Sequence, residues 1–373
     1  MKILLTGGGT GGHLIPLLGV VSELKKISAE RKLEKPEFLL IAPASGFNKN
    51  ISDAGIKIKI IKAGKLRRYF SLENIIDIFK IPIGAIQSLC YIRKFKPNVV
   101  FSKGGFASVP PVIAAWTLRI PIVTHESDIV PGLANKIIAR FASKILISFS
   151  VTEKYFDKNK VVLTGNPIRS DIVQGSRENA LKFFKLSPDL PTILIFGGSQ
   201  GARKINEMAL EILPELLKKY QVIHQCGIKN YDKTKNIVSS FNLKNQGRYR
   251  LYPYLNKEMK DAYAVADIVI SRAGANSLAE IVSLKKLNIL VPFSTAASNH
   301  QFKNAKFFVE KKASLAIDET VNNSQDLADA IFKLLSNRDL QDQMKQKLSG
   351  MASLQIAAYK IAEEIIKVSD TIK

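Results

Sequence analysis

Apolar β-branched runs recur along the chain of 373 residues, and most are followed by a segment with apolar positions at helical spacing. The runs predict strands at Lys2–Thr6, Phe38–Ala42, Lys57–Lys62, Asn98–Ser102, Pro121–Thr124, Lys144–Ser148 and Val161–Thr164 in the first half. A second series covers Thr192–Phe196, Gln221–Gln225, Tyr249–Tyr252, Asp267–Ser271, Asn288–Val291 and Ser314–Ile317. Between them, sets such as Leu14, Leu17, Leu18, Val21 and Leu24 fall on one face of a helix. Alternation of this kind calls for parallel sheets covered by helices on both faces.

Each half opens on a strand that runs into a glycine turn, KILLTGGGTGGH and then TILIFGGSQGA. The chain is therefore expected to form two Rossmann-like domains. We place the N-terminal one at residues 1–168 and the C-terminal one at 192–339. A polar linker spans 169–191, and C-terminal helices at 340–373 cross back toward the first domain.

Composition narrows the functional classes. The chain carries 55 Lys+Arg against 32 Asp+Glu, a net charge of +23. Such an excess suits phosphorylated ligands or an anionic membrane face. Nucleic acid is not expected, since zinc-finger spacing, RNP-type strands and a basic zipper are all missing. Cys90 and Cys226 stand far apart without CxxC spacing, which excludes a disulfide framework and a thiolate zinc site. No apolar run reaches the ~20 residues of a membrane helix, so a cytoplasmic protein is expected.

Four strand-glycine-helix junctions carry the candidate chemistry. Gly7, Gly9 and Gly12 form GxGxxG, but the second strand ends Ile41-Ala42-Pro43-Ala44 without the carboxylate that would hold a dinucleotide ribose. The other three are SKGGFASVPP (Ser102–Pro111), GGSQGA (Gly197–Ala202) and SRAGANSLAE (Ser271–Glu280). One such loop is ordinary turn chemistry; four suggest phosphate held by N–H groups and helix starts. GxxxxGK[ST] and DxD are missing, and His13, His125, His224 and His300 show no paired metal-ligand spacing. A metal-independent reaction is expected, with no cofactor; His224, mid-strand, reads as a core residue.

The blocks TGGGTGGH (Thr6–His13), SKGGFASVP (Ser102–Pro110), HESD (His125–Asp128), GNPIR (Gly165–Arg169), GGSQGAR (Gly197–Arg203), ADIVISRAGANSLAE (Ala266–Glu280) and NHQFKNA (Asn299–Ala305) resemble the MurG family of bacterial cell-wall glycosyltransferases. They lie in family order over nearly the whole chain. The resemblance implies a GT-B fold, two Rossmann-like domains facing across a cleft. It implies transfer of N-acetylglucosamine from UDP-N-acetylglucosamine to undecaprenyl-diphospho-MurNAc-pentapeptide, converting lipid I to lipid II in peptidoglycan synthesis. A related GT-B enzyme using another nucleotide sugar, such as a diacylglycerol sugar transferase, is the nearest alternative. A non-catalytic basic protein is the alternative of another class.

Site residues follow by the same resemblance. Donor binding falls to Thr10, Gly11, Gly12, Asp128, Arg169, Ser199, Leu255, Arg272, Gly274, Ala275, Asn276, Ser277, Glu280, His300 and Gln301, with Glu280 on the ribose hydroxyls. The acceptor falls to Gly9, Gly104, Gly105 and Phe106. The family inverts the anomeric centre, which requires a base for the acceptor hydroxyl. His13 suits that role because an imidazole titrates near neutrality, and Glu126 is its rival. Two departures stand out: Asp128 replaces the family's asparagine, and Phe106 a common tyrosine. Lys65, Arg67 and Arg68 precede the apolar run with Ile75 and Phe79, a pattern suited to an anionic bilayer surface. The expected place is the cytoplasmic face of the inner membrane, as a peripheral protein.

Overall fold

The computed structural model describes residues 1–8, 11–46, 48–64, 72–169, 171–198, 201–241, 245–293, 299–351 and 356–370, with backbone alone at 11 and 72–80. Two compact units emerge, Met1–Arg169 with Ser353–Lys373, and Ser170–Ala352.

Among the described residues of the first unit, seven parallel strands form one sheet: β1 (Lys2–Thr6), β2 (Glu37–Ala42), β3 (Lys57–Ile60), β4 (Val99–Ser102), β5 (Ile122–Glu126), β6 (Lys144–Ile147) and β7 (Val161–Leu163). Their order is β3-β2-β1-β4-β5-β6-β7. Central strands such as β1 and β4 are buried nearly end to end, as unbroken apolar runs require when helices cover both faces. The helix Gly11–Glu30 lays Leu14, Leu17, Val21 and Leu24 into the core against Ile3 and Leu5. The C-terminal helix Ala357–Asp370 packs on it with Ile361 and Ile365, and an Arg31–Glu363 ion pair of 2.5 Å joins the two.

The described residues of the second unit form a six-stranded parallel sheet from β8 (Thr192–Phe196), β9 (Gln221–Gln225), β10 (Tyr249–Tyr252), β11 (Ile268–Ser271), β12 (Leu287–Leu290) and β13 (Leu315–Ala316). The order is β10-β9-β8-β11-β12-β13.

Two boundaries differ from the sequence expectation. The stretch 169–191, read as a linker, carries the helix Arg177–Phe184, capped by Ser176, whose Oγ accepts from Asn179 N–H at 3.2 Å. Ala180 and Phe184 bury one face of it against the helix Met259–Val265. Its four apolar residues, Ala180, Leu181, Phe183 and Phe184, do not share one buried face, and Phe183 is exposed, so helical periodicity did not stand out. The second unit also runs past residue 339: the helix Arg338–Gly350 buries Met344 and Leu348 there, so only the last helix belongs to the first unit.

Candidate active site

In a doubly wound sheet the ligand crevice opens at the carboxyl ends of the strands where strand order reverses. In the first unit that point lies between β1 and β4, and two of the four glycine turns leave from it. Gly8 N–H donates to Gly104 O at 3.0 Å. A Cβ on Gly8 would sit 2.6 Å from His13 Cδ2, and one on Gly104 (φ +85) would sit 2.3 Å from Asn135 Oδ1. Gly105 (φ +84) lies against Gly8 and the His13 ring. Glycine is required here by conformation and by close approach together.

His13 occupies the first turn of the helix Gly11–Glu30 and is half-buried. Its Nδ1 lies 3.3 Å from Lys103 O. A carbonyl only accepts, so Nδ1 carries the proton and Nε2 keeps its lone pair. Burial, and then the Lys103 charge, hold this imidazole below its ordinary range. The ring is therefore biased toward its neutral form.

The end of β5 is polar and closed. His125 Nε2 donates to Gly165 O at 2.8 Å, which leaves Nδ1 to accept from Lys103 Nζ at 2.8 Å. Both nitrogens of His125 are thus committed. Glu126 is buried, and its carboxylate accepts from Asp128 N–H (2.9 Å), Gly132 N–H (3.2 Å) and Asn135 Nδ2 (2.8 Å). Burial and the neighbouring Asp128 push Glu126 upward. This geometry makes Glu126 an anchor of the 127–135 loop. Lys103, Asn135 and Asn166 were not singled out in the sequence. The available signal was a lysine directly after the strand Val99–Ser102, whose first three residues are apolar.

Phe106 is half-buried and starts the short turn Phe106–Ser108. Arg169 ends the first unit and is half-buried. Gly9, Thr10, Ser199, Lys65, Arg67 and Arg68 lie outside the described residues, as do the side chains of Ile75 and Phe79.

In the second unit the reversal lies between β8 and β11. After β8 the chain turns through Gly198 (φ +85) and Gly201 (φ +74), where a Cβ would meet Cys226 O at 2.1 Å. After β11, Gly274 caps the helix Ala275–Ser283 without a side-chain hydrogen bond. N–H groups of a first helical turn lack intrahelical partners and carry the positive end of the helix dipole. Asn276 and Ser277 lie in the first turn of that helix and Glu280 in the second. Tyr263 Oη donates to Glu280 Oε2 at 2.9 Å, fixing the carboxylate. Fully buried Asn304, in the NHQFKNA block, donates to Ala273 O at 3.0 Å and holds the turn from below. Gln301 Oε1 accepts from Phe293 N–H at 3.0 Å, and the buried Nδ1 of neighbouring His300 has no hydrogen bond among the described residues.

Two expected donor residues have other work. Arg272 donates to Glu319 at 2.7 Å and to Val291 O at 3.0 Å, with Phe293 5.1 Å from its guanidinium. That buried ion pair fixes the β11 and β12 ends within the unit. Leu255 is 3% exposed, and its N–H donates to Gln225 Oε1 at 2.9 Å, so neither its side chain nor its N–H is presented to a base. His224 is a core residue as read: its nitrogens meet Tyr249 Oη at 2.8 Å and Asn206 Oδ1 at 3.0 Å.

Residues 3–147 match the glycosyltransferase family 28 N-terminal domain, and residues 192–364 match the glycosyltransferase family 28 C-terminal domain. The chain is 40% identical, over 97% of its length, to a Bacillus cereus UDP-N-acetylglucosamine--N-acetylmuramyl-(pentapeptide) pyrophosphoryl-undecaprenol N-acetylglucosamine transferase 2, covering 99% of that protein. The chain belongs to glycosyltransferase family 28, in its MurG group. A Clostridium perfringens UDP-N-acetylglucosamine--N-acetylmuramyl-(pentapeptide) pyrophosphoryl-undecaprenol N-acetylglucosamine transferase is 43% identical over 91% of each chain. The crystal structure of Acinetobacter baumannii MurG superposes with a TM-score of 0.72 at 25% identity, covering 98% of this chain and 99% of that one. A Neisseria meningitidis UDP-GlcNAc 2-epimerase (TM-score 0.70, 16% identity, 98% and 100% coverage) shares the fold. The family's GT-B architecture is therefore the fold of this chain.

Proposed function

We propose that this protein transfers N-acetylglucosamine from UDP-N-acetylglucosamine to the C4 hydroxyl of MurNAc in undecaprenyl-diphospho-MurNAc-pentapeptide, the lipid I to lipid II step of peptidoglycan synthesis. Membership of the MurG group over nearly the full chain supports the substrates. The observation that carries the chemistry is His13, with Nδ1–H held by Lys103 O and Nε2, without a hydrogen bond among the described residues, beside two glycines.

In this reading the first unit binds the acceptor along Gly9, Gly104, Gly105 and Phe106. His13 Nε2 takes the C4 hydroxyl proton as that oxygen forms its bond to C1 of the donor sugar. The C1–oxygen bond to UDP breaks on the opposite face, UDP departs with the bonding pair, and configuration inverts. Thr10, Gly11, Gly12 and Asp128 border the transferred sugar. The second unit binds the donor: Glu280 accepts from the ribose hydroxyls, and His300 and Gln301 meet the sugar. The diphosphate rests on Ser199 and the N–H groups of Gly274, Ala275, Asn276 and Ser277. Those N–H groups and the helix dipole meet the charge that develops on UDP, so no metal ion is needed.

We place the protein at the cytoplasmic face of the inner membrane, held by an anionic lipid surface. No helix among the described residues is long and apolar enough to cross a membrane. In the helix Leu72–Phe95, however, Ile83 and Ile86 are 45% and 64% exposed, and its last turn holds Arg93 and Lys94. Exposed apolar residues beside bases suit interfacial docking.

The test is transfer of labelled sugar from UDP-N-acetylglucosamine to a short-chain lipid I analogue, with and without EDTA. Transfer should survive EDTA and fall by about 10²–10⁴-fold in His13→Ala while UDP binding persists. Clear UDP binding without transfer to this acceptor would overturn the reading.

A further inference from the structure

Lys103 is 1% exposed, a lysine in the interior of the first unit. Its main chain ties the two central strands: Lys103 N–H donates to Thr6 O at 2.8 Å, and Lys103 O receives His13 Nδ1 at 3.3 Å. Its Nζ reaches His125 Nδ1 at 2.8 Å, Asn166 Oδ1 at 2.9 Å and Ser127 Oγ. Three acceptors match the three N–H donors of an ammonium. His125 accepts because its other nitrogen is bound to Gly165 O. A buried charge is retained only where such partners satisfy it.

We propose that Lys103 is a positioning residue for the transfer reaction: its ammonium locks the turns after β4, β5 and β7 together and opposes the Asp128 carboxylate in the charge felt by His13. The inference rests on the reading of His13 as the base. The charged groups that act on His13 are Lys103, after β4, and Asp128, after β5, with opposite signs. Burial lowers Lys103 to about 7 while Glu126 and then Asp128 oppose that shift, so it is an ammonium over the acid range in which His13 takes up its proton; the neutral His125 is in contact. Lys103 therefore offsets a carboxylate that the family's usual asparagine would not bring. A neighbouring cation favours the neutral, proton-accepting form of His13, and a carboxylate disfavours it.

The experiment follows the His13 ring by NMR of histidine-labelled full-length protein across pH, alongside the acid limb of kcat/KM for the lipid I analogue. In Lys103→Met both midpoints should rise by about one pH unit, the scale of one neighbouring charge. Lys103→Arg should hold them near wild type. Adding Asp128→Asn to Lys103→Met should bring them back down, which a loss of packing alone would not do. Lys103→Gln, which keeps a polar head, repeats the test should Lys103→Met fail to fold. A His13 midpoint that stays in place in a folded neutral variant would overturn the proposal. A midpoint that moves while the kinetic limb does not would keep Lys103's action on His13 and overturn His13 as the base.

Discussion

The N–H of Gly8 and the carbonyl of Gly104 meet at 3.0 Å, joining the turns after β1 and β4 at the point where strand order reverses. That bond places the His13 ring beside Gly8 and Gly105, and Asn135 against Gly104. The approach of the two turns is therefore permitted by the lack of side chains at Gly8, Gly104 and Gly105.

Gly104→Ala should remove activity and destabilise the first unit. The new Cβ would meet Asn135 Oδ1 at 2.3 Å, and φ +85 is unfavourable for any L side chain. A loss of about 1–3 kcal/mol in urea unfolding is expected. A variant of wild-type stability and rate would show that the turn relaxes freely.

Glu126 and His13 separate cleanly in their pH profiles. Three N–H donors hold the Glu126 carboxylate, so Glu126→Gln places an amide donor against groups that themselves donate. Stability should fall by about 1–3 kcal/mol while the acid limb of kcat/KM stays in place. If the limb disappears in Glu126→Gln, the base role passes to Glu126.

Glu280→Ala should raise the KM for UDP-N-acetylglucosamine by roughly 10- to 100-fold, the scale of lost hydrogen bonds to a charged group, with a smaller change in kcat. Tyr263→Phe leaves the carboxylate but removes the hydroxyl that fixes it at 2.9 Å. A smaller rise in the same constant is expected. An unchanged donor KM in Glu280→Ala would remove Glu280 from the donor site.

His224 links stability to pH. Burial lowers its imidazole from 6.5 to about 4, so the folded protein resists a proton that the unfolded chain takes up. Its contribution is full above pH 6.5 and is lost as pH falls toward 4, by about 1 kcal/mol per pH unit. Glu126, whose folded carboxyl is raised, acts with the opposite sign, losing stability as pH rises above its unfolded value. Comparison with His224→Gln isolates the histidine: its urea-unfolding free energy should vary less steeply between pH 6.5 and 4. Equal slopes would refute the linkage.

Membrane docking is checked by vesicle sedimentation. Binding should require anionic lipid, weaken with salt, and drop by roughly 10²-fold when Lys65, Arg67 and Arg68 are all replaced by Gln, at about 1 kcal/mol per basic residue. Retention of binding in that variant would exclude the basic stretch as the anchor.

All thirteen expected strands occur among the described residues, most within one or two residues of their predicted bounds, because a parallel sheet buried on both faces demands continuous apolar runs. The glycine turns were equally legible, and at Gly104, Gly105 and Gly201 the positive φ and close approach favour no other residue. Short amphipathic pieces were not: Arg177–Phe184 buries only Ala180 and Phe184, too little pattern to separate a helix from a linker. The roles of polar residues were the least legible. Sequence identifies Arg272 as a conspicuous arginine in a glycine turn, but only the tertiary structure brings Glu319, 47 positions away, to within 2.7 Å of it. The same holds for Lys103, whose partners His125 and Ser127 at the end of β5 and Asn166 after β7 converge on it from distant stretches of the chain. Local periodicity determines which segments become strands and helices, since that choice depends on neighbours along the chain. Which side chains act, and which merely hold others, depends on burial and on partners distant in sequence, and so was decided by the folded packing alone.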